Sequence, residues 1–182
     1  MNLNAEIKEH LEELLQLRRW FHRHPELGFQ EYKTSKKIAE YLTELGFRVE
    51  TGVAETGVVG LMEVAGDGPT LLMRSDMDAL PIDEDNDLPY KSVNSGMMHA
   101  CGHDTHMAML LVAAKILNNH RDEVKGRIKF IFQPNEEEAG AECMVEEGVM
   151  ENPSVDAALG LHIWTFIPTG TVGVVSGPVM AS

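Results

Sequence analysis

The apolar residues of this chain change period along its length, and that change limits the fold more than any other feature. Ile7, Leu11, Leu14, Leu15, Leu17, Trp20 and Phe21 recur at helical spacing, as do Ile38, Ala39, Tyr41, Leu42 and Leu45. The first set predicts a helix from Asn4, as its cap, to His24, because Pro25 disfavours helix in its predecessor. The second predicts a helix over 32–45, stopped by Gly46. The runs at 47–51, 58–64 and 70–74 are instead short, β-branched or apolar, and divided by Gly, Asp and Pro, as strands are. Gly-Asp-Gly-Pro at 66–69 predicts a hairpin turn. Residues 77–98 show little period and form a long loop, a length uncommon without a function. A helix over 105–118, a strand over 127–132, a short helix over 139–147 and strands over 157–163 and 171–175 complete the series. Such alternation implies an α/β fold: a mixed sheet covered by helices in αβα layers.

Bulk properties narrow the function. The 182 residues suit one domain, or one domain and part of a second, and a 43% hydrophobic fraction supports a packed core. With 29 acids against 15 Lys+Arg, the net charge of -14 excludes nucleic acid as the main partner, since phosphate binding needs a basic footprint. Two cysteines, Cys101 and Cys143, do not make a disulfide framework. The amphipathic N-terminus lacks a signal-peptide core and no apolar run can span a bilayer, so a soluble cytoplasmic protein without a membrane partner is expected.

Four segments place donor side chains where strands end. His-Ala-Cys-Gly-His-Asp-Thr-His at 99–106 holds three His, one Cys and one Asp in eight positions. Thiolate and imidazole together suit zinc or a transition metal, and Cys101 and His103, flanking Gly102, can reach one centre. Asp76 and Asp78 follow the apolar run 70–74, where a carboxylate can bind metal or orient a metal-bound group. Glu136, Glu137 and Glu138 follow 127–132; adjacent acids point in different directions, so one can bind metal while its neighbour faces a water. His162 ends a strand expected to be buried; a lone histidine there is more often a core residue, and its interest comes from the other three segments. The donor set suits Zn, Mn, Co or Ni equally, with up to two divalent ions.

The segments RRWFHRHPELGFQE at 18–31, RSDMDALP at 74–81, HACGHDTH at 99–106, QPNEEEAGAE at 133–142 and LHIW at 161–164 resemble the M20 family of metallopeptidases, in its amidohydrolase branch. That resemblance implies a zinc-peptidase-like catalytic domain that hydrolyses the amide bond of small N-acyl amino acids. It implies Cys101, His103, Glu137 and His162 as metal ligands; Cys101 is the bridging candidate because a thiolate can donate to two cations. Glu136 becomes the general base and proton shuttle, and Asp78 the orienting acid. Branch members run to roughly twice this length, with a lid or dimerisation domain and a final histidine ligand. Residues 1–182 are therefore expected to be the N-terminal part of the catalytic domain, with sheet edges that invite homo-oligomer formation. Two rivals stand beside this reading: a non-catalytic metal-binding module of the same fold, and a thiol hydrolase using Cys101.

Overall fold

The computed structural model of the protein describes residues 3–64 and 67–174. They comprise five α-helices, α1 (Leu3–Glu9), α2 (Leu11–Arg23), α3 (Tyr32–Glu44), α4 (His103–Asn119) and α5 (Gly140–Glu146), and five strands; the first three helices precede three strands, and helix and strand alternate after that. The strands are β1 (Arg48–Val53), β2 (Gly57–Glu63), β3 (Thr70–Asp76), β4 (Arg127–Gln133) and β5 (Ala157–Gly160). They form one mixed sheet in the order β1-β2-β4-β3-β5. β1–β2 and β2–β4 are antiparallel, whereas β3 runs parallel to both β4 and β5.

The alternation along β4 divides the core in two. Ile128, Phe130 and Phe132 face Leu17, Phe21, Ile38, Leu42, Met107 and Leu111 of α2, α3 and α4. Ile131 faces the other way, with Leu72, Met144 and Val149, under α5. Helices thus cover both faces, as the αβα expectation requires.

Three expectations need correction. No hairpin joins residues 58–64 to 70–74: β4 lies between β2 and β3. Its largely apolar run is best buried at the centre, and the connection passes the start of β4, where Arg127 N–H donates to Pro69 O at 2.9 Å. Within that turn, residues 65 and 66 lie outside the described residues. Second, β5 ends at Gly160 and all four of its residues are exposed; among the described residues it pairs with β3 alone. Third, residues 171–174 form no strand, and Val175 lies outside the described residues. The N-terminal helix is also interrupted at His10, and Asn4 lies inside α1 rather than capping it. Among the described residues no helix is long and apolar enough to cross a membrane.

What the topology does for function is simple. β3, β4 and β5 are parallel, with Asp76 opposite Gln133 and Arg74 opposite Gly160, so their carboxyl ends share one edge of the sheet. The long loop after β3 returns to that edge, where α4 begins at His103.

Candidate metal centre

At this edge the donors from four segments meet. Ligand atoms of Cys101, His103 and Glu137 lie within 4.8 Å of one another, as do those of Asp76, His103, His106 and His162. Cys101 Sγ is 3.4 Å from His162 Nε2, and His103 Nε2 is 3.7 Å from a Glu136 oxygen and 3.9 Å from a Glu137 oxygen. Asp78 stands one step back: it accepts from His103 Nδ1 at 3.1 Å and from the Glu137 N–H at 3.1 Å.

Each acidic or basic group is placed by its backbone. Gly102, with φ +89°, caps α4 in the left-handed region that other residues rarely adopt. The turn Glu136–Glu138 is set by Asn135, also left-handed at φ +48°. The fully buried Glu31 carboxylate fastens that turn, accepting the Asn135 N–H at 3.0 Å and the Thr56 hydroxyl at 2.5 Å. Gly28 leaves the room needed, since a Cβ there would lie 1.9 Å from Asn135 Oδ1.

The residues fit a divalent cation. His103 donates Nδ1–H to Asp78, leaving a bare Nε2 that is buried with no hydrogen-bond partner among the described residues; the nearby Asp76 Oδ2 is paired with Arg74 at 3.1 Å. His162 donates Nδ1–H to the Ile163 carbonyl at 2.6 Å, so its Nε2 also points inward bare. Histidines that ligate metal commonly spend the other ring nitrogen in this way. A buried imidazole nitrogen left unpaired is costly unless something binds it.

A match to the model of peptidase family M20/M25/M40 spans residues 72–177, which include all these donors. The chain belongs to that family. It is 46% identical to a thermostable carboxypeptidase of Saccharolobus solfataricus, over 99% of this chain and 46% of that protein. It is 45% identical to an N-acyl-L-amino acid amidohydrolase of Geobacillus stearothermophilus, over 91% of this chain and 45% of that one. The crystal structure of a Bacillus subtilis dinuclear metal binding peptidase of the M20 family superposes with a TM-score of 0.88 at 44% identity, covering 94% of this chain and 48% of that one. The chain thus spans about half the length of the relatives it matches.

Electrostatics in this M20 chain separates the roles of its groups. Burial, then the neighbouring Glu137, Glu136 and Asp76 carboxylates, push the Cys101 thiol up to about 12. Without a cation it is therefore a poor nucleophile. Burial opposes ionisation of Asp76, but the His106 hydrogen bond and the charges of His103, His106 and Arg74 outweigh it and hold the acid at about 2. Burial drops His99 to about 4, and both its ring nitrogens lack partners, so this first histidine of the motif is neutral.

The structure brings together the six residues to which the family resemblance gives a role: Cys101, His103, Glu136, Glu137 and His162 around one space, and Asp78 behind them. Sequence reasoning passed over three others. His106 follows His103 at helical i+3 spacing, a signal that both share a face of α4. Arg74, 3.1 Å from Asp76 and 3.8 Å from Glu136, and the buried Glu31 left no such signal.

Proposed function

We propose that this chain is the N-terminal part of the catalytic unit of a metal-dependent amidohydrolase that cleaves N-acyl amino acids. The observation that carries it is the pair of imidazoles, His103 and His162, that turn bare Nε2 atoms toward Cys101 and Glu137. Cys101, His103, Glu137 and His162 would hold the ion, or up to two ions, of Zn, Mn, Co or Ni. Such a cation, when bound, polarises an amide carbonyl and makes water acidic near neutral pH.

The chain's own groups supply the proton traffic. Glu136 faces the same space as His103 Nε2, with Arg74 on its other side. It takes a proton from the attacking water as the new C–O bond forms. When the C–N bond breaks, it returns that proton to the departing amine. Asp78 keeps His103 in the Nδ1–H tautomer and anchors the Glu137 amide, so the base and the ligands keep their spacing. Relatives carrying the names amidohydrolase and deacetylase support the substrate class. A thiolate donor suits a reducing cytoplasm, and an acidic chain suits a small-molecule substrate better than nucleic acid.

The 3.4 Å contact of Cys101 with His162 is what a thiol hydrolase would also show, but a thiol pushed up to about 12 opposes that reading. The deciding experiment measures hydrolysis of N-acetyl amino acids by the protein that carries this chain, with Zn or Mn and with EDTA. Glu136→Gln is expected to keep the metal content and lower turnover by about 10²–10⁴-fold. A near-normal rate in that variant removes the base assignment, and activity that survives EDTA favours the thiol.

A further inference from the structure

His106 belongs by distance to the donor cluster with Asp76, His103 and His162, yet both of its ring nitrogens are already committed. The Ile163 N–H can only donate, and it donates to His106 Nε2 at 3.0 Å. The ring proton therefore sits on Nδ1, 2.5 Å from Asp76 Oδ1, which accepts it. The same residue, Ile163, accepts at its carbonyl from His162 Nδ1 at 2.6 Å. One backbone unit thus links the two imidazoles, whose rings meet edge to face at 4.5 Å.

Ile163 is held from its other side as well. Its Cδ1 lies 2.2 Å from where a Cβ on Gly102 would be, so the side chain occupies the space that this glycine leaves open. The result is a relay from the end of β3 to the cluster: Asp76 orients His106, His106 fixes the Ile163 amide, and Ile163 fixes His162. At its far end His162 Nε2 faces Cys101 Sγ. Among the described residues the segment 161–164 has no strand pairing, so the strands described do not set its position.

We propose that His106 is a positioning residue that seats His162 through the Ile163 backbone, and is not itself a metal ligand. This deepens the metal-centre reading above and rests on it.

Two variants separate the halves of the relay. In His106→Gln the side-chain oxygen can stand where Nε2 stands and accept the Ile163 N–H. In His106→Asn the amide can stand where Nδ1 stands and keep only the Asp76 bond. Co²⁺ affinity and the visible Co²⁺ spectrum are measured for the purified chain and both variants. The expected result is Gln within about threefold of the unsubstituted chain and Asn weaker by about 10–100-fold. Equal loss in both variants, with a donor lost from the spectrum, would make His106 a ligand and overturn the proposal; so would unchanged binding in both.

Nitrogen-15 NMR of the unsubstituted chain without metal provides an independent arm. His106 Nε2 is expected unprotonated and scalar-coupled to the Ile163 amide. A protonated Nε2 overturns the relay even if Co²⁺ binds. A chain that shows the coupling but binds no Co²⁺ overturns the metal-centre reading and leaves the relay standing as a structural link. Since this arm needs no variant, a misfolded Asn protein does not obscure the outcome.

Discussion

The Asp78 carboxylate meets the His103 imidazole at 3.1 Å and, through its second oxygen, the Glu137 amide at 3.1 Å. One buried side chain therefore sets the spacing between the first residue of α4 and the acidic turn after β4. The Asp78 backbone carbonyl also accepts from His103 Nδ1, at 2.9 Å. Asp78→Ala should keep the His103 tautomer through that carbonyl while freeing the Glu137 turn. Metal affinity is expected to fall by about 10–100-fold without being abolished. Zn²⁺ titration against a competing chelator checks this, and an unchanged affinity would remove Asp78 from the support of the site.

Metal binding should also appear as stability. His103 Nε2 is buried with no hydrogen-bond partner among the described residues. A cation that binds only the folded form, at free concentration 100 times its Kd, adds about 2.7 kcal/mol. Scanning calorimetry should show Tm rising with Zn²⁺ and returning with EDTA, and His103→Ala should erase the difference. A Tm indifferent to both additions would mean that the cluster holds no ion.

A third expectation concerns pH. His22 is buried between Asp104, at 2.8 Å, and Glu84, at 3.0 Å, and the long loop is tied down where Glu84 also accepts the Ser92 N–H. The Asp104 hydrogen bond, against the opposing effect of burial and with help from Glu84, raises the His22 pKa above its ordinary 6.5. Its contribution is full below that value and is lost as pH rises through the raised one. Burial works against both acids. The His22 bond nevertheless lowers Asp104 below 3.8, and the Ser92 amide and His22 lower Glu84 below 4.5. Their contributions are full above those values and are lost as pH falls through the lowered ones. Stability should therefore peak between about 4.5 and 6.5. His22→Gln should flatten the decline on the alkaline side, read from urea midpoints across pH.

The sequence carried the site further than it carried the sheet. Strands β3 and β4 were legible because mostly apolar runs lead into acids, and parallel pairing then brings those acids to one edge. Strand order was not, because nothing local in Gly-Asp-Gly-Pro says that β4 will enter between its two flanking strands. Cys101 and His103 stood out as candidate donors by residue type, and Glu137 by the family resemblance; the structure places all three together. The roles of Glu31 and His106 were not legible, since each acts through a backbone amide distant in sequence: Asn135, 104 positions on, and Ile163, 57 positions on. β5 misled for a physical reason. Ala157–Gly160 is apolar enough to suggest burial, but among the described residues it pairs with β3 alone, and the solvent reaches all of it.

Lys129 offers a test of the scaffold apart from the metal. It lies in the central strand β4, where a charge is unexpected, and its side chain points to the α5 face. Its ammonium donates to the carbonyls of Val149 at 2.7 Å, Glu151 at 2.7 Å and Pro153 at 3.1 Å. Three converging acceptors suit the three donors of an ammonium, so the charge organises the loop that follows α5 and leads to β5. Lys129→Met keeps the apolar stem and leaves three carbonyls with no donor. It is expected to cost about 1–3 kcal/mol. Lys129→Arg should lie between the two, because a planar guanidinium keeps the charge but cannot aim at three points of a cone. Urea unfolding at constant m-value measures both. A Met variant as stable as the original would show that the loop needs no cation and that water satisfies those carbonyls.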